Sequence, residues 1–221
     1  MQKCSGAGVH SCTGFPALDA LILNFSLLPV SIISESRNLM TDKITLEREL
    51  VNRARKGDNE AFEDLVRMYQ EPLYRYLCRL SGNGEDAMEL TQNSFVKAYL
   101  SIGRFRGDST FKTYLFRIAS NLWRNTIRDR GKRRTIDIDQ VSIASGDNPH
   151  EEAVRNQEQK RFWSFVEELP ARQREALTLR VQEGYPFEEV AKVMGCSIGS
   201  AKASYHHAVG KLKLAYEGED L

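Results

Sequence analysis

Between Phe62 and Leu80, apolar side chains recur at steps of three and four: Phe62, Leu65, Val66, Tyr69, Leu73, Tyr76, Leu77 and Leu80. Residues three or four apart share a helix face, whereas a strand needs a period of two, so this run can bury its stripe only as an α-helix. Asp58 after Gly57 supplies an N-cap. Pro72 predicts a kink or an interruption, and Ser81-Gly82-Asn83-Gly84 is a turn. The same period returns over 85–101, with Ala87, Leu90, Phe95, Val96 and Tyr99 placed inward. A polar loop over 103–109 follows. A third helix opens at Ser109 or Thr110, with Phe111, Tyr114, Leu115, Ile118, Leu122, Trp123 and Ile127 as its apolar set. No stretch has strand period and no 20–50-residue repeat is present, so the fold class is all-α.

Residues 131–156 lack sustained periodicity and contain the turn Gly146-Asp147-Asn148-Pro149, which predicts a flexible acidic linker. Helices resume at Phe162, Trp163, Phe165, Val166 and Leu169. Pro170 precedes a helix over 172–183, broken at Gly184-Tyr185. Two more helices, over 187–194 and 198–214, are joined by Gly195-Cys196-Ser197. The expected organisation is two small helical domains, 45–133 and 159–217, joined by a linker over 134–158.

Composition matters mainly for what it hides. The net charge is only +1, but Lys and Arg outnumber Asp and Glu ten to two over 104–134, a net of +8, and 135–168 carries three against eight. A basic stripe beside an acidic segment is either a footprint for phosphates or a solvated helix face followed by a polar linker, and charge alone weighs the two evenly. The four cysteines (Cys4, Cys12, Cys78, Cys196) form no C-x-x-C pair, which argues against a disulfide scaffold or a zinc module. His10 lies between Cys4 and Cys12 but lacks a fourth ligand. No metal or cofactor is expected.

Residues 1–39 are poor in charge. The apolar run 20–33 is interrupted by Asn24, Ser26, Pro29 and Ser31, too short and too broken for a membrane span. A basic start and an A-x-A site are missing, so a secretory signal is not expected. The segment reads as a dispensable leader before a start at Met40, and the chain as cytoplasmic.

The last two helices have helix-turn-helix form. In the second, Ala201, Tyr205, Ala208 and Leu212 make the buried face, and Ser197 is the N-cap. The opposite face presents Ser200, Ala203, Ser204 and His207 to base edges, with Lys202, His206 and Lys211 placed for phosphates. A plain helical hairpin packing its own core has the same pattern. In the basic block, Phe105, Phe111, Tyr114, Phe116 and Trp123 are interleaved with Arg104, Arg106, Lys112, Arg117, Arg124, Arg128 and Arg130. Aromatics among cations suit single-stranded nucleic acid. Periodicity assigns Phe111, Tyr114 and Trp123 to the core and leaves Phe105 in a loop. Catalysis finds no motif: there is no phosphate-cradling glycine loop, no H-E-x-x-H, and His206 and His207 point to different faces.

Three stretches resemble the sigma-70 family of bacterial RNA polymerase specificity subunits, and within it the extracytoplasmic-function (ECF) group. Residues 85–99 (EDAMELTQNSFVKAY) resemble its core-binding region. Phe105-Arg106-Gly107-Asp108-Ser109 with Phe111-Lys112-Thr113-Tyr114-Leu115-Phe116-Arg117-Ile118-Ala119 resembles its promoter-melting region. Leu169-Pro170-Ala171-Arg172-Gln173-Arg174-Glu175 with the helix-turn-helix resembles its −35-reading domain. The likeness covers 45–214 in order. Departures are Asn93 for an acidic residue, Tyr114 for Trp, and Ser204 and His207 for Arg.

The resemblance implies a region 2 helical bundle and a region 4 helix-turn-helix. Asp86, Leu90, Gln92, Asn93 and Phe95 would bind the β′ clamp helices of core polymerase, with the β flap a further contact. Lys97, Ser101, Phe105 and Asn121 would hold the melted −10 strand and a flipped base, with Arg106, Arg124 and Arg128 beside them. Ser200, Lys202, Ala203, Ser204, His206, His207 and Lys211 would contact the −35 duplex. The linker would thread a basic polymerase channel, and an anti-sigma factor is an expected partner. The competing class is a stand-alone helix-turn-helix regulator, which needs a ligand or dimerisation domain; the +8 block far from the helix-turn-helix favours the sigma class.

Overall fold

The computed structural model describes residues 44–133 and 151–219. The leader and the 134–150 stretch of the linker lie outside the described residues. Eight α-helices follow one another in this part of the chain, with no strand among the described residues. They are α1 (44–54), α2 (Asn59–Ser81), α3 (Gly84–Ser101), α4 (Phe111–Arg133), α5 (Glu151–Glu168), α6 (Ala171–Val181), α7 (Phe187–Met194) and α8 (Ile198–Glu219), with a 3-10 turn at Ile102–Arg104.

α2 is capped as its sequence requires. The Asp58 carboxylate accepts the Ala61 N–H at 3.1 Å, and Gly82 closes the helix at φ 66° with its N–H on Cys78 O. That bond and the Arg53 guanidinium hold the Asp58 carboxyl below its ordinary range. Pro72 does not interrupt α2: the helix runs through it. Leu73, Tyr76, Leu77 and Leu80 just beyond are all fully buried, and their packing keeps the segment helical despite the missing N–H.

α3 buries Ala87, Leu90, Ser94, Phe95 and Ala98. Val96 and Tyr99, expected inward, are instead 56% and 48% exposed. The small residues Ala87, Ser94 and Ala98 recur at steps of seven and four and share the seam with Leu90 and Phe95, while Val96 and Tyr99 turn outward. On α4 the buried set is Phe111, Leu115, Phe116, Ala119 and Trp123; Ile127 is exposed, and Phe116 takes a core place against Tyr76 at 5.0 Å.

The second half also departs from expectation. α5 begins at Glu151, inside the span assigned to the linker. Both helical domains expected from the sequence are present, and they pack into one compact unit from Ile44 to Leu221. Ala176, Leu179, Tyr185, Val190, Ala191, Val193, Met194 and Ala201 join the core of α1–α4, while Phe162, Val166, Leu169, Leu177, Ala208 and Leu212 make a second cluster. The helix-turn-helix forms where the sequence placed it: Gly195 takes φ 64° at the end of α7, and the Ser197 hydroxyl accepts the Ser200 N–H at 3.2 Å.

Candidate nucleic-acid interface

α4 carries the basic block, and its start carries the loop that precedes it. Phe105 is not a loop aromatic facing solvent. It is 9% exposed, its ring 4.8 Å from Tyr114 and 6.4 Å from Phe111. Its extended backbone (φ −66°, ψ 117°), closing the 3-10 turn with an N–H on Ile102 O, folds the side chain under α4. Ser101 donates to Lys97 O and pairs with the Tyr114 hydroxyl at 2.6 Å. Lys97, Arg106, Asn121 and Arg128 are exposed. The structure thus gathers buried Phe105 with half-buried Ser101 and Tyr114 into one group, with Lys97 and Arg106 beside it in the chain.

Arg124 is engaged elsewhere. Its Nη1 donates to both Glu175 oxygens at 3.0 and 3.1 Å and to Met194 O at 2.9 Å, and its Nη2 to Asn121 Oδ1 at 2.5 Å. The Glu175 side chain is fully buried; burial pushes its carboxyl above the ordinary range while Arg124 pulls it back. Two neighbouring links repeat the theme. Lys112 Nζ lies 2.8 Å from Glu183 and 4.8 Å from the Tyr185 ring, and the Thr113 hydroxyl donates to Glu189 at 2.8 Å. Three carboxylates of the C-terminal half therefore hold polar groups of the basic helix. Periodicity could not reveal Glu175, because a charged residue between apolar neighbours carries no signature of its partner.

The residues proposed for core polymerase sort into two sets. Gln92 and Asn93 are exposed, whereas Leu90 and Phe95 are 6% and 8% exposed and pack in the domain interior rather than on the outer face. Asp86 is held by Arg130, whose two Nη atoms reach its oxygens at 2.5 and 2.6 Å. The same helix shows solvent an apolar set that its periodicity obscured: Met88, Val96, Tyr99 and Leu100, 48–77% exposed.

α8 is open. Lys202, Ala203, His206, His207 and Lys211 are exposed, and Ser200 and Ser204 half-buried. The Ser204 hydroxyl donates to Ser200 O at 2.9 Å, and Lys202 Nζ lies 5.7 Å from the Phe187 ring centre. Among the described residues there is no cluster of three or more metal-ligating side chains, and no helix long and apolar enough to cross a membrane.

A bundle with a cationic, aromatic-backed helix followed by a helix-turn-helix with an open face defines a protein with two distinct nucleic-acid surfaces. Residues 65–133 match the family model of Sigma-70 region 2, and 159–212 that of Sigma-70, region 4. The chain is 33% identical to the RNA polymerase sigma-H factor of Pseudomonas aeruginosa over 172 residues, 73% of this chain and 89% of that one. It is 34% identical to the ECF RNA polymerase sigma-E factor of Salmonella typhimurium over 179 residues, 76% and 93%. Its fold matches the sigma factor RpoE solved with the anti-sigma factor NepR from Bartonella quintana, at a TM-score of 0.61 and 25% identity, covering 71% of this chain and 96% of that one. The chain belongs to the sigma-70 family and is an ECF sigma factor, which disfavours the stand-alone regulator.

Proposed function

We propose that this sigma factor docks on core RNA polymerase through the outer face of α3, reads the −35 element as duplex with α8, and opens the −10 element along α4. The observation that carries this reading is the net charge of +8 over 104–134, most of it on α4, a helix separate in the chain from the helix-turn-helix. A duplex-binding module alone has no use for it.

On α3, Gln92 and Asn93 with Met88, Val96, Tyr99 and Leu100 form the surface for the β′ clamp helices; Leu90 and Phe95 support it from behind. At the start of α4, Phe105 and Tyr114 form an aromatic floor and Ser101 its polar edge. Lys97, Arg106 and Arg128 follow the strand's phosphates, and Asn121 contacts a base. Removing a base from the stack costs a few kcal/mol, which a fitted pocket must return. Ser200, Ala203, Ser204 and His207 face base edges in the major groove, and Lys202, His206 and Lys211 the phosphates.

Arg124 cannot hold Glu175 and a phosphate together, so engagement of the −10 strand requires the C-terminal half to leave α4. The protein acts by binding, in the cytoplasm where polymerase works, and the polymerase performs the chemistry. An anti-sigma factor is its expected partner, by likeness to the Bartonella protein, and the β flap receives the C-terminal half. Reconstitution with purified core polymerase tests the reading: promoter-directed transcripts with permanganate-reactive −10 thymines are expected. Palindromic duplex bound by a dimer without polymerase, and no transcription with it, would overturn it.

A further inference from the structure

The N-terminus of α4 is held by a residue from outside the matched region 2 segment. Glu47, on α1, is 9% exposed. Its Oε1 accepts the N–H of Phe111 at 2.8 Å, and its Oε2 accepts the hydroxyl of Tyr69. Phe111 is the first residue of α4, and no acidic residue occupies the first turn of that helix. Thr110 Oγ1 caps the Thr113 N–H at 3.1 Å. Glu47 therefore supplies the carboxylate that the helix's own sequence lacks, at the end where a helix favours negative charge. The ring of Phe111 also carries the aromatic group: it lies edge-on to Phe105 at 6.4 Å and to Phe62 at 6.5 Å, and 6.2 Å from Tyr114. The point at which α4 starts thus sets where Phe105 rests and how the 105–110 loop leaves it.

We propose that Glu47 is a positioning residue for promoter opening: it fixes the start of α4, and with it the Phe105–Arg106 loop, without touching DNA. This rests on the sigma-factor reading above. The group it orders lies far along the chain from the −35 helix, so its loss should separate opening from duplex binding. A buried cap that served folding alone would weaken both.

The test uses the full chain in holoenzyme with purified core polymerase. Glu47→Ala removes both hydrogen bonds. Glu47→Gln keeps an acceptor for the Phe111 N–H and offers Tyr69 a donor. Tyr69→Phe removes one partner and keeps the ring. Glu47→Ala is expected to lower permanganate reactivity of the −10 thymines on the order of tenfold. Binding to core polymerase and to −35 duplex should stay at wild-type levels. Glu47→Gln should restore most of the opening, Tyr69→Phe should fall between, and a template with a preopened −10 bubble should recover transcription by Glu47→Ala. Wild-type opening by Glu47→Ala would overturn the proposal, as would equal loss of opening and −35 binding without bubble rescue. Failure of the wild-type chain to open any promoter would instead strike the underlying reading.

Discussion

α4 and α8 are both assigned to DNA, yet the structure treats them oppositely. On α8, Ala203, His206, His207 and the lysines of the outer face stand in solvent with Ser200 and Ser204 half-buried, and the face is set by Ala201, Ala208 and Leu212 packing beneath. On α4, Lys112, Thr113 and Arg124 are taken up by Glu183, Glu189 and Glu175. One surface is complete as folded; the other is completed by separating parts that touch. On the proposed reading, the −35 duplex meets α8 as it stands, whereas recruiting Arg124 to the −10 strand requires its release from Glu175.

Substitutions can break or sharpen that contrast. The largest stability effect is expected at Phe105. Its burial under α4 means that Phe105→Ala leaves a cavity costing about 3 kcal/mol besides impairing opening, whereas exposed Asn121→Ala should impair opening with stability changed by less than about 0.5 kcal/mol. Thermal unfolding beside permanganate footprints separates the two; equal stabilities would place Phe105 outside the core. Next is Arg124→Ala, which leaves the Glu175 carboxylate buried without its partner and is expected to destabilise by roughly 2–3 kcal/mol, below the range for a fully buried pair because Arg124 is 25% exposed.

On the open helix the effects are local. Ser204→Ala and His207→Ala should each relax preference at one −35 position, by roughly 1 kcal/mol. Lys202→Ala should weaken all duplexes alike and lower the salt slope by about one. A duplex library read at two salt concentrations distinguishes them; a sequence change from Lys202→Ala alone would mean the helix docks in another rotation.

The smallest effect is a pH dependence. Burial raises the folded Glu175 carboxyl above its ordinary value of 4.5. A raised carboxyl binds its proton more tightly folded than unfolded, so its contribution is fully present below pH 4.5 and is lost as pH rises through the folded value. Unfolding measured from pH 4 to 7 should show this trend in the wild-type chain and a flatter one in Glu175→Gln.

Much of this was legible because periodicity reports faces. The stripe over 62–80, the αL glycine after α7 and the Ser197 cap all appear where local chemistry requires them. What escaped is what periodicity cannot carry. Leu90 and Phe95 fit a helical stripe whether it faces a partner or the core, and the small residues Ala87, Ser94 and Ala98 decided the matter by letting a neighbour approach. Phe105 had no period to read, being outside any helix. Glu47 and Glu175 are acidic residues whose partners, Phe111 and Arg124, are 64 and 51 positions away. The 134–150 part of the expected linker lies outside the described residues, and residues 151–158 form the first turns of α5.

If the −10 strand recruits Arg124 as proposed, the guanidinium's hold on Glu175, Met194 and Asn121 makes promoter engagement an equilibrium between two populations. A strand that needs Arg124 binds only molecules in which the C-terminal half has moved away, so its apparent affinity is the intrinsic one reduced by that fraction. Each additional 1.4 kcal/mol or so of closed-state preference dilutes the competent fraction about tenfold. A partner that draws the C-terminal half onto its own surface thus amplifies −10 binding without adding a contact to the strand.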